Sequence, residues 1–188
     1  MAGVPEDRAG GVEARLLDGS PPATPAELFR RLDGLGIAHH TRRHAPVYTV
    51  EEARAVRGEL PGVHTKNLFV RDKKERMWLL VCEADRDVDL HDVARRLGSK
   101  RLSFGSPRRL MHYLGVTPGA VNPFAVMNDR TNAVQVVLDT VVLEGDPINF
   151  HPLDNAMTTA VSARDMVRFL EAERHAPTIM DFGGRVSE

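Results

Sequence analysis

The sequence of 188 residues is poor in the residues on which several common kinds of site depend. Its single cysteine, Cys82, excludes an intrachain disulfide and a zinc site built from cysteines. Aromatic residues make up only 5% of the chain, and no apolar run approaches the roughly 18 residues that span a membrane. The formal net charge is −1, so any nucleic-acid site must be a local basic patch.

Several catalytic motifs are missing as well. The chain has no Walker loop, no dinucleotide-binding glycine pattern after a strand, and no Gly-x-Ser-x-Gly elbow. His40 and His44 fall on one side of a predicted strand without a third ligand nearby, so we predict no metal and no cofactor. The amino terminus lacks the apolar stretch of a signal peptide, which favours a cytoplasmic protein with no membrane segment.

The composition that remains is typical of a globular protein, with 42% hydrophobic and 27% charged residues. Residues 1–22 are rich in Gly, Ala, Pro and charge and have no apolar period, so we predict a flexible N-terminal tail. Residues 23–188 are predicted to form a single domain, which we expect to be monomeric.

Helices and strands are predicted to interleave without a regular repeat. Thr24-Pro25-Ala26-Glu27 forms a capping box that starts a helix ending at Gly36. Two apolar runs, residues 65–71 and 77–83, are separated by a charged turn and predict a hairpin. Further helices are predicted from Thr49 to Gly58–Gly62 and over 89–97, 106–115 and 162–174, and further strands over 38–44, 101–104, 133–139, 140–143, 149–152 and 158–161. This order favours an α+β fold with a mixed sheet over a doubly wound one.

Three segments carry residues suited to chemistry, although each is also compatible with a structural role. Lys66 begins an otherwise apolar strand and is either a surface lysine or an ammonium aimed at a phosphate or carbonyl. The loop Gly119–Pro123 is either a plain turn or a donor of backbone N–H groups to an oxyanion. His151 follows an apolar strand and is either a structural histidine or part of a pocket.

A basic stretch without acidic residues lies in the middle of the chain. It contains Arg95, Arg96, Lys100, Arg101, Arg108 and Arg109. Such a stretch forms either the solvated faces of helices or an electrostatic surface for a nucleic acid.

Taken in chain order, these motifs resemble the YbaK and prolyl-tRNA synthetase insertion-domain family, in particular its free-standing prolyl-tRNA editing branch. The matching segments are residues 64–70 (HTKNLFV), 114–124 (LGVTPGAVNPF), 128–129 (ND) and 150–155 (FHPLDN), with Thr158 and Thr159. The resemblance extends over roughly residues 24–182. It implies a mixed, strongly curved β-sheet flanked by helices, without a metal or covalent nucleophile.

The resemblance also implies a function and a set of site residues. It implies hydrolysis of mischarged tRNA(Pro), chiefly Ala-tRNA(Pro), by water attack on the aminoacyl ester with help from the substrate's own ribose hydroxyl. The implied catalytic residues are Lys66, Gly119 and His151, the implied substrate-binding residues are Asn67, Pro123, Phe124 and Asn155, and the predicted tRNA-binding residues are Lys100, Arg101, Arg108 and Arg109. Prolyl-tRNA synthetase or an elongation factor is the further partner that this activity suggests.

Two other functions remain open at this point. A deacylase of the same fold with another target, such as Cys-tRNA(Pro), differs only in its amino-acid pocket. A non-catalytic tRNA- or nucleotide-binding module would keep the pocket without hydrolysing the ester.

Overall fold

The computed structural model describes residues 14–45 and 60–183. Within these ranges helices and strands alternate irregularly, as predicted. The helices are α1 (Pro25–Gly34), α2 (Leu90–Arg96), α3 (Pro107–Leu114), α4 (Thr140–Glu144) and α5 (Ala163–Ala172), with a 3-10 helix over Pro123–Asn128. The strands are β1 (His39–Arg43), β2 (Val63–Arg71), β3 (Met77–Glu83), β4 (Ser103–Phe104), β5 (Val134–Asp139), β6 (Ile148–Phe150), β7 (Met157–Val161) and β8 (Thr178–Met180).

All eight strands belong to one sheet in the order β1-β7-β6-β2-β3-β5-β8, with β4 paired to β2. The pairs β1/β7, β6/β7, β2/β3 and β2/β4 are antiparallel, whereas β2/β6, β3/β5 and β5/β8 are parallel. The predicted hairpin is present as β2 and β3. The sheet is therefore mixed and is accompanied by helices, which confirms the predicted α+β class.

Strand β2 is the junction of the sheet. One of its edges pairs with β3 from Thr65 to Arg71. Its other edge pairs with β6 at Val63 and His64 and with β4 at Val70 and Arg71. Between these two neighbours, no described strand pairs with β2, which leaves an opening at the positions of Lys66 and Asn67.

The two sides of the sheet bury separate hydrophobic clusters, because successive side chains of a strand point to opposite sides. The larger cluster contains Phe69, Leu79 and Val81 and is covered by α1, α3, α5 and the 3-10 helix. The smaller cluster contains Val70, Leu80 and Cys82 and is covered by α2 and by the C-terminal residues Met180 and Phe182.

The capping predictions agree with the structure. Thr24 and Glu27 form a reciprocal capping box at the start of α1. Ser106 and Ser162 accept hydrogen bonds from Arg109 N–H and Asp165 N–H at the starts of α3 and α5. Each bond satisfies a backbone donor that the first helical turn leaves without a partner. The helix predicted to begin at Thr49 lies outside the described residues.

One predicted strand is wrong. The β-branched run over residues 140–143 predicted a strand, but these residues form the one-turn helix α4 after Asp139. Strand propensity depends on the tertiary context. Here the burial of Asp139 and Val142 determines the conformation of this segment and overrides the preference of its residues for a strand. The three-residue strand β8 was not predicted, because so short a run gives no recognisable alternation.

Residues 14–22, which the sequence assigned to a flexible tail, pack against the domain. Leu16 is buried, and Leu17 N–H donates to the carbonyl of His112 at 2.8 Å. Ala23 N–H donates to Asn128 Oδ1, also at 2.8 Å. The predicted tail therefore differs from the structure over residues 14–22, and its first 13 residues lie outside the described ranges. No helix in the described part of the chain is long and apolar enough to cross a membrane.

Candidate active site

Lys66 lies at the opening of β2 and is half-buried. Alternation along the strand puts it on the same side of the sheet as Leu68 and Val70, above the smaller cluster. Its ammonium donates a short hydrogen bond to the backbone carbonyl of Arg86, in the loop that follows β3. Within residues 14–45 and 60–183 the lysine is thus held by a backbone group and not by a carboxylate.

Arg86 is itself buried, although it lies among the acidic residues Glu83, Asp85, Asp87 and Asp89, and such a run is usually exposed to solvent. Its Nε is 2.9 Å from Asp139 Oδ2, and its Nη2 forms a short ion pair with Asp181. The Nε and Oδ2 atoms are close without the alignment of a hydrogen bond. Burial raises the pKa of the Asp139 carboxyl above its ordinary value, and the N–H of Phe182 and the charge of Arg86 offset this only in part.

Cys82 lies directly across the β2–β3 ladder from Lys66. Burial raises the pKa of its thiol to about 12, and the nearby ammonium of Lys66 offsets the effect only in part. At neutral pH the side chain is a thiol and not a thiolate. Since the thiolate is the nucleophilic form, Cys82 is a packing residue of the smaller cluster.

Asn67 points to the other side of β2, toward the larger cluster. Its Nδ2 lies 3.5 Å from Thr65 Oγ1, and that hydroxyl donates to the carbonyl of Asn149 at 3.2 Å. These contacts connect β2 to β6 and so to the segment that carries His151. The Oδ1 atom of Asn67 is buried and has no hydrogen-bond partner among the described residues. A buried acceptor without a donor is costly unless a ligand supplies one.

The loop before the 3-10 helix is shaped by Gly119 and Asn122. Gly119 has φ of +93°, which disfavours other residues, and a Cβ placed there would lie 4.0 Å from Asn155 Nδ2. Asn122 is fully buried and donates from Nδ2 to the carbonyl of Ala120 at 2.7 Å. The structure therefore brings the predicted residues Gly119 and Asn155 together from segments more than thirty residues apart.

His151 follows β6 and is half-buried. Its Nδ1 is 2.8 Å from the carbonyl of Met157, so this nitrogen must carry a proton. Its ring lies 6.1 Å from the ring of His44, centroid to centroid, and His44 Nε2 is 2.9 Å from Thr158 Oγ1. The backbone bond fixes the orientation of His151 at the edge where β6 and β7 meet.

Pro123 and Phe124 are buried at the start of the 3-10 helix. The ring of Phe124 has no exposed surface and makes edge contacts with Phe150 at 5.7 Å and Phe169 at 5.3 Å. Sequence reasoning assigned Phe124 to substrate binding, but the structure places it in the core. Its ring packs between β6 and α5 and has no exposed surface for a ligand.

The predicted tRNA-binding residues line two hollows. Lys100 and Arg101 line a hollow of about 430 Å³, which also includes Lys73 and Lys74 of the β2–β3 turn. Arg108 and Arg109 line a second hollow of about 360 Å³ with His112 and Tyr113 of α3. Arg109 is also paired with Glu75. The arrangement joins the basic stretch to two lysines that the sequence did not single out.

Comparison with known proteins identifies the family of this chain. The profile of the aminoacyl-tRNA editing domain family matches residues 44–169 of the chain. A protein of Danio rerio named prolyl-tRNA synthetase associated domain-containing protein 1 is 36% identical over 182 residues, covering 94% of this chain and 99% of the relative. The chain belongs to the aminoacyl-tRNA editing domain family. It is therefore an enzyme of the aminoacyl-tRNA deacylase class, as the motifs predicted.

Two further proteins are similar to this chain. The prolyl-tRNA editing protein ProX of Acetoanaerobium sticklandii is 40% identical over 146 residues, which cover 77% of this chain and 89% of ProX. A solved structure described as a candidate trans-editing enzyme for prolyl-tRNA synthetase has a TM-score of 0.67 at 17% identity, over 87% of this chain and 99% of that one. At this identity the structural match supports the fold alone.

Several residues around the site were not found from the sequence. Arg86, Asp139 and Asp181 are far apart in the chain, and the acidic run around Arg86 suggested exposure. Asn122 was part of a quoted motif but was given no role. The signal available for Asn122 was its place before Pro123 at a helix start, where a short polar side chain often shapes the turn.

Proposed function

We propose that this editing domain hydrolyses mischarged tRNA(Pro) in trans and that Ala-tRNA(Pro) is its main substrate. The observation that carries the proposal is the approach of the Gly119 loop to Asn155. The names of the two relatives, both of which refer to prolyl-tRNA, support the choice of tRNA. The reaction is attack of water on the ester carbonyl carbon, cleavage of the bond to the ribose oxygen, and transfer of a proton to that oxygen.

The Gly119 loop is suited to the oxyanion of the tetrahedral intermediate. Ala120 N–H already donates to the carbonyl of Thr117 at 3.1 Å, so the donors to the oxyanion would come from its neighbours in the loop. The bond from Asn122 to the Ala120 carbonyl holds this backbone in place before the substrate arrives. Preorganised donors of this kind are worth on the order of 3 kcal/mol in the transition state.

The other residues would bind the two ends of the substrate. Asn67 Oδ1, which has no donor in the described structure, can accept a hydrogen bond from the substrate's α-ammonium or ribose hydroxyl. Lys66, the preceding residue of β2, would leave the Arg86 carbonyl for the phosphate of the terminal nucleotide. His151 would form a wall of the amino-acid pocket, and the free ribose hydroxyl would orient the attacking water.

The test is a deacylation assay on tRNA(Pro) charged separately with alanine, cysteine, serine and proline. We expect fast release of alanine and slow release of proline, because a small pocket excludes the larger ring by steric clash. For alanine against serine or cysteine, the pocket can discriminate by only about 1–3 kcal/mol for each added group. Fastest release of cysteine would transfer the specificity to Cys-tRNA(Pro), and equal release of proline would contradict editing.

The role of Lys66 is tested in the same assay. Lys66→Ala should abolish deacylation while the thermal midpoint stays close to that of the unsubstituted protein. Arg164→Ala, which removes an exposed cation on α5, is the matched control and should retain activity. Full activity of Lys66→Ala would remove the lysine from the mechanism.

The two basic hollows would bind the acceptor stem. Arg71 and the β2–β3 turn begin five to six residues beyond Lys66, which is about 20 Å along an extended strand. A single-stranded 3′ end could bridge this distance, so its last nucleotide would reach the site while the stem phosphates contact Lys73, Lys74, Lys100 and Arg101. A prolyl-tRNA synthetase or an elongation factor would compete for the same acceptor end.

Charge reversal tests this surface. Lys73→Glu with Lys100→Glu should raise KM and lower the slope of log affinity against log salt by about 0.7–0.9 for each phosphate that the protein no longer neutralises. Arg108→Glu should act in the same direction. Arg109 is a poorer probe because its charge already pairs with Glu75. Unchanged affinity at both low and high salt would return these residues to a role as solvated surface.

A further inference from the structure

The surroundings of Lys66 contain a feature that the family profile does not reach. The profile ends at residue 169, whereas Asp181 lies beyond it, after β8. Asp181 and the buried Asp139 both bind the guanidinium of Arg86, and the carbonyl of the same residue holds the ammonium of Lys66. We propose that Arg86 is a positioning residue for Lys66, fixed by Asp139 and by the C-terminal Asp181. This inference rests on the proposed function.

The burial of Arg86 supports this role. Its side chain is 5% exposed and that of Asp139 is 0% exposed, so neither is a mobile surface group. An arginine on a short loop after a strand would ordinarily extend into solvent. Here the guanidinium turns inward, and the backbone of residues 84–89 has to follow it. The orientation of the Arg86 carbonyl is therefore a consequence of where its side chain is bound.

The carboxylates are tied to the fold from separate elements. Asp139 is the last residue of β5, and its Oδ1 lies 3.4 Å from the N–H of Phe182. Phe182 has no exposed surface and packs in the smaller cluster with Cys82, the residue opposite Lys66. Arg96 of α2 donates a short hydrogen bond to the Asp181 carbonyl. The C-terminal segment is thus fixed beside the loop whose carbonyl holds the lysine.

This support matters because Lys66 has no carboxylate partner among the described residues. A backbone carbonyl holds an ammonium in place without neutralising it, so the positive charge stays available for a phosphate. When the Lys66 ammonium moves to the substrate, it exchanges the carbonyl oxygen of Arg86 for a phosphate oxygen of the terminal nucleotide. A displacement of about 1 Å in such a group lowers a rate by on the order of a hundredfold, which makes its support important.

Two variants test this role, and neither leaves an unpaired charge buried in the domain. Arg86→Met with Asp139→Asn removes both charges of the buried pair and keeps an acceptor for the Phe182 N–H. Asp181→Asn removes the exposed partner only. We expect the double variant to lower kcat by roughly ten- to a hundredfold, with KM nearly unchanged. The expected effect of Asp181→Asn has the same direction and is smaller. Asp18→Asn, another exposed ion-pair carboxylate, is the matched control.

The second readout is the chemical reactivity of Lys66, which does not depend on activity. The chain has four lysines, Lys66, Lys73, Lys74 and Lys100, so amine acetylation at each is easily resolved by mass spectrometry. In the unsubstituted protein Lys66 should react more slowly than the exposed Lys100. Both variants should raise the ratio of Lys66 to Lys100 labelling. The thermal midpoint of Asp181→Asn should equal that of the unsubstituted protein.

The outcomes separate this inference from the proposed function. A raised labelling ratio with a lower kcat supports the positioning role. A lower kcat with an unchanged ratio, or no change in either, overturns it. If Lys66→Ala remains fully active, the proposed function of the lysine fails, while the labelling ratio still decides whether Arg86 holds it.

Discussion

In the described part of the editing domain, two buried aspartates each contact a basic side chain, and they differ in how their carboxylates are satisfied. Arg86–Asp139 lies beside Lys66. His175–Asp129 lies behind the 3-10 helix that begins at Pro123, with both side chains 1% exposed and 3.2 Å between Nε2 and Oδ2. One pair thus lies beside the loop whose carbonyl holds Lys66, and the other lies at the C-terminal end of the 3-10 helix, before β5.

The two carboxylates respond to burial in opposite ways. Burial raises the pKa of Asp129, but hydrogen bonds from His175, Val134 N–H and Thr131 outweigh it and the net shift is downward. The pKa of Asp139 is raised, because its contacts with the N–H groups of Phe182 (3.4 Å) and Val141 and an unaligned contact with Arg86 do not compensate for its burial. A nearby guanidinium alone therefore does not make this buried carboxylate favourable, whereas aligned hydrogen bonds do so for Asp129.

The largest expected effect comes from breaking the arginine pair. Arg86→Ala leaves the carboxylate of Asp139 buried beside an empty space, so we expect the free energy of unfolding to fall by about 3–5 kcal/mol. Urea denaturation followed by circular dichroism measures it. The double variant Arg86→Met with Asp139→Asn should recover most of the loss, and a loss as large as that of Arg86→Ala would mean that packing, not charge, is responsible.

Breaking the His175–Asp129 contact should lower the free energy of unfolding less than breaking Arg86–Asp139 does. In His175→Ala, Asp129 keeps its bonds from Val134 N–H at 2.7 Å and Thr131 Oγ1 at 2.8 Å. We therefore expect a loss of about 1–3 kcal/mol in the same denaturation experiment, typical of one buried hydrogen-bonding group. A loss equal to or greater than that of Arg86→Ala would reverse the order of the two pairs.

The two carboxylates should also give opposite pH dependence, which is a smaller effect. The ordinary pKa of each is 3.8. The lowered pKa of Asp129 adds stability above 3.8 that is lost as pH falls through its folded value, so the cost of Asp129→Asn should shrink in acid. Because the pKa of Asp139 is raised, the free energy of unfolding falls as pH rises from 3.8 through the folded pKa of this residue. Over that pH range the loss of unfolding free energy caused by Asp139→Asn should therefore decrease. Denaturation of both variants from pH 3 to 7 is the measurement, and slopes of the same sign would contradict the comparison.

We expect the smallest loss of unfolding free energy from breaking a partly exposed ion pair, one member of which lies near His175 in the sequence. Arg31 Nε lies 2.6 Å from Glu173 Oε1 and joins α1 to the end of α5. Arg31→Ala should change the free energy of unfolding by only about 0.2–1 kcal/mol, because solvent screens the charges. A loss comparable with that of His175→Ala would indicate that this contact, and not burial, fixes the end of α5.

Local patterns predicted much of this fold. The capping sequences around Thr24, Ser106 and Ser162 and the apolar runs of β2 and β3 are short-range signals, and each corresponds to the element that it predicted. The strand order was not predictable in the same way, because the parallel pairs β2/β6 and β5/β8 join segments that share no local pattern. The helix over Thr140–Glu144 was missed since its propensity is that of a strand.

The candidate site shows the same division. Lys66, Gly119, Asn155 and His151 could be singled out by type and by resemblance, and Gly119 does approach Asn155. The burial of Arg86 could not be predicted, because its partners Asp139 and Asp181 lie 53 and 95 residues further along the chain. Its acidic neighbours indicated exposure. Contacts that depend on distant carboxylates become visible only in three dimensions.

The pairing of β1 with β7 has a consequence for biosynthesis. Thr41 faces Thr159 in this pair, so the only described neighbour of β1 is made 118 residues later. At about 5–20 residues per second, a ribosome needs roughly 6–24 s to make them. Throughout that time β1 lacks its described partner, while the β2–β3 hairpin, whose strands are only five residues apart, is already able to close. The nascent chain is therefore most open to wrong association through its first strand, and β1 can join the sheet only late in synthesis.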